Sequence, residues 1–326
     1  MSKVLVYSAR NYERPQLTEG ARSRGFEISF VDSPLNAATA HAARGFDAVS
    51  IFVNDRADSE VLKILKEHGV KALALRSAGF NHLDVKTMKE LGLQAARVPA
   101  YSPYAVAEHT VALLLTLNRK IHKAYNRVRE GNFSLEGLLG FDLHGKTVGV
   151  VGTGKIGQVL CKILTGFGCR VLAYDPYPNV TLGLNYVDRE TLLRESDIVT
   201  LHCPLTPETR HFVNAASIAQ MKDGVVLLNS SRGALVHTSD LIAGLKSRKI
   251  GGVAIDVYEE EEGLFFADHS QDILTDDVFA RLLSFPNVLV TGHQAFFTKE
   301  AVGNICETTL DNLVELLAGR DGKNAL

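Results

Sequence analysis

Along the first hundred residues, short apolar runs alternate with stretches in which apolar positions recur every three or four residues. The runs at 4–7, 28–31, 48–53 and 72–75 predict strands. The periodic stretches 59–68 and 85–91 predict helices, with Gly69 and Gly92 as their C-terminal stops. Strands alternating with helices in this way predict a parallel sheet covered on both faces.

The pattern changes at Ser102, a capping residue ahead of Pro103 at a first helical position. The helix predicted there runs through a leucine-rich stretch toward Arg129 and stops near Gly131. So apolar a helix must be buried, in its own domain or against a second subunit. From Lys146 the alternation resumes, and the runs at 147–151, 170–174, 198–201, 225–229, 252–256 and 288–291 predict six strands, the number a dinucleotide-binding sheet uses. Residues 299–319 predict one last amphipathic helix, too small to be a domain. The expected division is therefore residues 1–100 with 299–326, and residues 101–298.

Composition changes this picture little. A chain of 326 residues suits two domains. With 35 basic against 37 acidic residues and no basic block, a nucleic-acid partner has little electrostatic support. The longest apolar stretch, around 111–117, is far too short to span a bilayer, and the N-terminus lacks the apolar core of a signal peptide. Cys161, Cys169, Cys203 and Cys306 show no CxxC spacing, which suits free thiols in a reducing cytoplasm. No clustered ligand spacing suggests a metal.

The first chemistry-bearing motif is Gly152-Thr153-Gly154-Lys155-Ile156-Gly157, a G-x-G-x-x-G that follows an apolar strand and opens a helix. A second strand then ends at Tyr174-Asp175. Gly152 would allow the tight turn, Gly154 the approach of a pyrophosphate, and Gly157 close packing of helix on strand. Asp175 would accept hydrogen bonds from ribose hydroxyls and repel a 2′-phosphate, so NAD is favoured over NADP.

Two further elements close strands of the same sheet: Asn229-Ser230-Ser231-Arg232-Gly233 and Thr291-Gly292-His293-Gln294. Reduction of a keto acid needs a cation for the carboxylate and an acid for the carbonyl oxygen. On its own Arg232 fits a surface arginine equally well, and His293, one of 11 histidines, fits a structural histidine better than a catalytic one.

Taken with His202-Cys203-Pro204-Leu205-Thr206, with Asp256-Val257-Tyr258-Glu259-Glu260-Glu261 and with Gly292-His293-Gln294-Ala295-Phe296, these segments resemble the D-isomer-specific 2-hydroxyacid dehydrogenases. Arg76-Ser77-Ala78-Gly79-Phe80-Asn81 and Val98-Pro99-Ala100-Tyr101-Ser102-Pro103 extend the likeness over essentially the whole chain. The resemblance implies a flavodoxin-like substrate domain and a Rossmann NAD-binding domain, both α/β with doubly wound parallel sheets, flanking an interdomain cleft. It implies closure of that cleft about hinges near Ala100 and Thr298.

It further implies a catalytic set on Arg232, Glu261 and His293. The family spacing, an acid five residues after Asp256, selects Glu261 from four consecutive glutamates. Arg232 would pair with the substrate carboxylate and polarise the carbonyl. His293 would donate the proton, and Glu261 would orient its imidazole and favour the charged form. The cofactor would meet Gly152, Gly154, Lys155, Ile156, Gly157, Asp175, His202, Cys203, Pro204, Thr209, Ser230, Ser231 and Asp256, the last through the nicotinamide carboxamide. The substrate would meet the backbone of Ser77, Ala78 and Gly79, together with Tyr101, Arg232, His293 and Phe296.

The reaction so implied is reversible reduction of a small 2-keto acid to the D-2-hydroxy acid, with pyruvate and D-lactate first because Phe80, Tyr101 and Phe296 are bulky. The segment Gly263-Leu264-Phe265-Phe266 also resembles the lactate-type members. The alternatives are a dehydrogenase for branched or aromatic 2-keto acids and, in a different class, an NADH-sensing binding protein. A homo-oligomer, dimer or tetramer, is expected, with the leucine-rich helix after Ser102 implied as part of the contact.

Overall fold

In the computed structural model, which describes residues 1–326, every pair of neighbouring strands is parallel and most strands are buried on both faces. The chain gathers into two units, Met1–Ser102 with Phe297–Leu326, and Pro103–Phe296.

The first unit opens with strands β1 (Lys3–Val6), β2 (Glu27–Phe30), β3 (Ala48–Ile51), β4 (Ala72–Leu75) and β5 (Gln94–Ala96), ordered β2-β1-β3-β4-β5. Helices α1 (Arg14–Ser23), α2 (Ser59–Glu67) and α3 (Val85–Glu90) connect them. Asp58 caps α2 by accepting from the amides of Glu60 and Val61, and Asp84 caps α3 by accepting from Thr87. Gly69 and Gly92 follow these two helices with φ of 86° and 61°, the left-handed stop that glycine adopts without strain.

The second unit contains α4 (Pro103–Arg119), α5 (Ile121–Arg129), β6 (Thr147–Val151), α6 (Lys155–Gly166), β7 (Arg170–Tyr174), α7 (Arg189–Glu195), β8 (Ile198–Leu201), α8 (Ala215–Gln220), β9 (Val225–Asn229), α9 (Thr238–Lys246), β10 (Ile250–Ile255), α10 (Asp277–Leu283) and β11 (Val288–Val290). Its sheet runs β11-β10-β9-β8-β6-β7. The last helix, α11 (Lys299–Leu317), then returns to the first unit.

In both sheets the first strand lies between the second and third. The winding therefore reverses between β1 and β3, and again between β6 and β8. Crevices at the carboxyl ends of strands open at such points, which is where doubly wound sheets bind ligands.

Alternation along the strands of the first unit sorts their residues between two cores. Leu5, Val49, Leu73 and Leu75 face α2 and α3, whereas Ala48, Ala72, Ala74 and Ala96 face the side that receives Leu310, Leu313 and Leu316 of α11. Small residues on that face let α11 approach closely. The C-terminus completes the unit, with Leu326 N donating to Ala95 O at 3.0 Å and Ala325 bridging Ala96.

Three elements differ from the sequence reading. The helix expected to run unbroken toward Arg129 is two helices, because Lys120 adopts a left-handed conformation with φ of 51°. Asn118 fixes that break, accepting from Phe141 N at 2.9 Å and donating to Phe141 O at 2.7 Å. Helix α1 escaped notice because Gly20 reads as a breaker. Its missing side chain leaves room for Leu310, whose Cδ1 would lie 2.3 Å from a Cβ there. Strand β5 has only three residues, too few for a pattern.

Leu113 and Leu114 of α4 lie in the core of the second unit beside Val148, Val150 and Leu160. The subunit contact implied for this helix therefore does not run through those leucines. No helix is long and apolar enough to cross a membrane. Leu310 is fully buried where α11 meets the first sheet. Leu310→Ala is expected to cost about 2–5 kcal/mol through lost burial and the cavity left behind, read as a lower urea midpoint by circular dichroism.

Candidate active site

The nucleotide turn is shaped by what its glycines lack. Gly152, at φ 93°, donates its N–H to Tyr174 O at 2.8 Å. A Cβ there would sit 2.7 Å from the backbone of His202 and Cys203, so only glycine lets the loops after β6 and β8 meet. At Gly157 a Cβ would sit 2.1 Å from Gly152 O. Gly154, the N-cap of α6, is exposed and has nothing within 4 Å of its Cβ position. The first-turn amides of α6 thus open onto free space, with Lys155 exposed and Ile156 half-buried beside them. A dinucleotide pyrophosphate fits this arrangement.

Asp175 closes the same turn. Its Oδ2 accepts from Thr153 N at 2.8 Å and Thr153 Oγ1 at 2.9 Å, and its Oδ1 from Tyr177 N at 3.0 Å. Burial raises the pKa of this carboxyl, but the bonds from Thr153 and Tyr177 outweigh it and the net shift is downward. Oδ1 keeps a lone pair for a ribose hydroxyl. Thr153, which the motif counts as a variable position, is the residue that holds this acid in place.

The loop after β8 carries His202, Cys203, Pro204 and Thr209. His202 pairs through Nε2 with Thr200 Oγ1 at 2.8 Å, and burial pushes its pKa down to about 4. The Cys203 thiol is pushed up to about 11 by burial, so it is no nucleophile. Thr209 Oγ1 donates to Pro204 O at 2.7 Å and closes the turn.

Across the sheet, Ser231 Oγ donates to Cys203 O at 2.7 Å, and Ser230 Oγ lies 2.7 Å from Thr110 Oγ1 of α4. Asn229 steadies the turn between, accepting from Ser231 N at 3.0 Å and donating to Arg232 O at 2.8 Å. Arg232 is half-buried and pairs with no carboxylate; its Nη1 donates only to Ser231 O at 2.6 Å. A cation held without a counter-charge suits an anionic ligand.

His293 and Glu261, 32 residues apart, meet at 2.7 Å between Nδ1 and Oε1. Glu261 Oε2 accepts from Tyr258 N at 3.0 Å, which fixes the carboxylate. His293 sits at φ 55°, a conformation that costs a non-glycine residue about 1–3 kcal/mol unless its surroundings impose it. Here they do, because His293 N donates to Asp256 O at 2.7 Å. The Phe266 ring lies 5.5 Å from the imidazole.

Asp256 is fully buried and occupied within the chain. Its Oδ1 accepts from Thr291 Oγ1 and from Gln294 N at 2.9 Å, its Oδ2 from Ala295 N at 2.8 Å, and His109 Nε2 lies 3.4 Å away. Burial raises its pKa, yet the bonds from His109, Thr291 and the two amides outweigh this and lower it overall. His109 and Thr110 of α4 were not singled out from sequence, where an apolar helix offers no sign that it serves strand ends.

The acidic run resolves into distinct uses. Glu259 accepts from Thr238 N and Oγ1, both at 3.1 Å, and pairs with His211, while Glu260 and Glu262 are exposed. Gly233 presses on this turn, since a Cβ there would lie 1.9 Å from Tyr258 O. The segments bearing Arg232 and Glu261 are thus in direct contact. Phe296 is half-buried at the end of the unit.

In the first unit, the carbonyls of Ser77, Ala78 and Gly79 all accept bonds, from Val98 N at 3.1 Å, Arg97 Nη1 at 2.8 Å and Ser77 Oγ at 2.7 Å. None of the three amides donates one. Three successive N–H groups are thus left free to donate to an anion. Tyr101 is half-buried, and its carbonyl accepts from Asn304 Nδ2 at 2.7 Å.

Residues 111–295 match the family described as D-isomer specific 2-hydroxyacid dehydrogenase, NAD binding domain. The chain is 54% identical over 327 residues to the D-lactate dehydrogenase of Escherichia coli, covering 99% of each sequence. It superposes on the apo-structure of D-lactate dehydrogenase from Escherichia coli with a TM-score of 0.89, at 52% identity and 99% coverage of both chains. It also superposes on the pyruvate reductase of Chlamydomonas reinhardtii with a TM-score of 0.92, at 47% identity, covering 99% of this chain and 98% of that one.

His202 makes stability depend on pH. The unfolded chain protonates this imidazole as pH falls through 6.5, whereas the folded chain resists until about 4. Folding free energy is therefore lost across that window and levels off below it. Urea titrations from pH 7 to pH 4 should show a smaller loss for His202→Gln than for the parent chain.

Proposed function

The chain belongs to the D-isomer-specific 2-hydroxyacid dehydrogenases, and from that premise we propose that it reduces pyruvate to D-lactate with NADH, reversibly, with His293 as acid and base and Arg232 as the carboxylate partner. The observation that carries this reading is the 2.7 Å pair between His293 and Glu261, on a segment that touches the one bearing Arg232, a cation that no carboxylate neutralises. The names of the Escherichia coli and Chlamydomonas relatives support the choice of substrate.

NADH would supply the hydride for reduction, and its oxidised form would accept one in the reverse reaction; the protein supplies the binding groups and the proton. A carboxylate only accepts, so Glu261 fixes the proton on Nδ1 of His293 and leaves Nε2 to exchange one with the substrate oxygen. In reduction Nε2 donates to the carbonyl oxygen; in oxidation it takes the proton back. Arg232 presents a planar fork to the substrate carboxylate and draws charge from the adjacent carbonyl. The amides of Ser77, Ala78 and Gly79 are free donors suited to a substrate carboxylate.

Gly152, Gly154, Lys155, Ile156 and Gly157 form the pyrophosphate turn, and Asp175 takes the ribose. His202, Cys203, Pro204, Thr209, Ser230 and Ser231 form the wall beyond it. We assign Asp256 two tasks: it holds the His293 turn through Thr291, Gln294, Ala295 and His109, and its Oδ2, which accepts only from Ala295 N, keeps a lone pair for the nicotinamide carboxamide.

The deciding assay follows loss of NADH absorbance with pyruvate, 2-ketobutyrate, 2-ketoisocaproate and phenylpyruvate, with chiral analysis of the product. Fast turnover of pyruvate to D-lactate is expected; preference for the larger acids would overturn the substrate, and slow turnover of all four with tight NADH binding would make the protein a sensor. His293→Gln should lower kcat about 10²–10⁴-fold with little change in NADH affinity.

The chain also carries a surface suited to self-association. Ile121, Tyr125 and Val128 on α5, then Phe133, Leu135 and Leu139, are all more than half exposed. So many large apolar side chains on one short segment mark a protein contact. Light scattering should report a homo-oligomer, and Leu135→Asp with Leu139→Asp should shift it toward monomer; a monomeric parent would overturn this assignment.

A further inference from the structure

Next to the free amides of Ser77–Gly79 lies a charge that the chemistry above does not use. Arg76 immediately follows β4, and its side chain is wholly buried against Glu13, itself 4% exposed. Buried arginines are rare unless paired. This one donates through Nε to Glu13 Oε2 at 3.1 Å, through Nη1 to Ser50 Oγ at 3.1 Å, and through Nη2 to Tyr7 O at 2.7 Å and Ser8 O at 3.4 Å. Its own N–H donates to Ile51 O at 2.8 Å.

One guanidinium therefore ties the carboxyl ends of β1, β3 and β4 at the point where the first sheet reverses its winding. A second layer braces the first. Asp55 accepts from Ser8 Oγ at 2.7 Å, from Leu35 N at 2.8 Å and from Phe52 N, and Ser8 is held at φ 48°. Glu13 Oε1 in turn accepts from Arg10 N at 3.0 Å.

Stability alone does not call for such a pair, because apolar residues of similar volume commonly hold a fold as well as a buried ion pair does. Its position is more telling. The next three residues have every carbonyl satisfied and every amide free.

We propose that Arg76, held by Glu13 and Ser50, is a positioning residue for substrate binding: it anchors the chain from which the free Ser77–Gly79 amides are presented to a 2-keto acid carboxylate. The proposal rests on the reading that these amides bind that carboxylate. Because a carboxylate is present in ground and transition states alike, disturbing these amides weakens binding uniformly and moves KM rather than kcat.

Removing one partner of a buried pair strands the other's charge and confounds folding with function. The test therefore uses the double variant Arg76→Met with Glu13→Met, which strands none, alongside Arg76→Lys and Ser50→Ala. Circular dichroism establishes folding, fluorescence titration gives NADH affinity, and steady-state assays with oxamate inhibition give the substrate terms.

The expected result for the folded double variant is a KM for pyruvate and a Ki for oxamate each raised about tenfold or more, with kcat within about threefold and NADH affinity unchanged. Arg76→Lys should fall between it and the parent, as should Ser50→Ala. A folded double variant with parental KM and Ki overturns the proposal and leaves the functional reading intact. So does a loss confined to kcat or NADH affinity. A parent chain that neither turns over pyruvate nor binds oxamate overturns both.

Discussion

A carboxylate taken out of water must be answered by donors, and Asp256 has them from Thr291, Gln294, Ala295 and, at 3.4 Å, His109. Those donors come from the segment after β11 and from α4, so satisfying one charge fixes the path of the chain through residues 291–295. His293 lies in the middle of that path, and its left-handed backbone persists because the turn around it is over-determined. The imidazole then needs only Glu261 to set its direction. The place of the imidazole is thus specified by one carboxylate and its direction by another.

Missing atoms matter as much as present ones. The turns after β6 and β9 each reach a neighbouring loop through a glycine, Gly152 against His202 and Cys203, Gly233 against Tyr258 and Glu259. In each case backbone meets backbone at a distance no side chain permits. Four loops from separate strands become one contiguous surface at the carboxyl ends of the second sheet. Polar bonds then lock it, from Ser231 to Cys203 and from Ser230 to Thr110.

Much of this was readable from residue order. The strands of the second unit follow from runs buried on both faces, and the nucleotide turn from glycines whose spacing has a steric cause. What periodicity does not reach is pairing across long separations. Glu261 and Glu259 are chemically identical in the sequence, and only the fold gives one to His293 and the other to His211. The choice of Glu261 came from family spacing, which encodes that geometry indirectly. Helix α1 was hidden by a glycine that exists for Leu310, nearly three hundred residues away, and the break at Lys120 by contacts to a later segment. Arg76 stood in a recognised motif, yet nothing local marks it as buried.

The return of α11 to the first unit has a consequence for biosynthesis. The core that Val4, Val6 and Leu17 share with Leu310, Leu313 and Leu316 lacks one whole side until residues 297–326 emerge from the ribosome. The second unit, contiguous from Pro103 to Phe296, is complete before then. Nascent chains therefore pass through a stage in which a finished nucleotide-binding unit trails an unfinished N-terminal sheet with one apolar face uncovered. That stage exposes the chain to aggregation and to chaperone capture, and a stop codon just before residue 297 would release protein trapped in it.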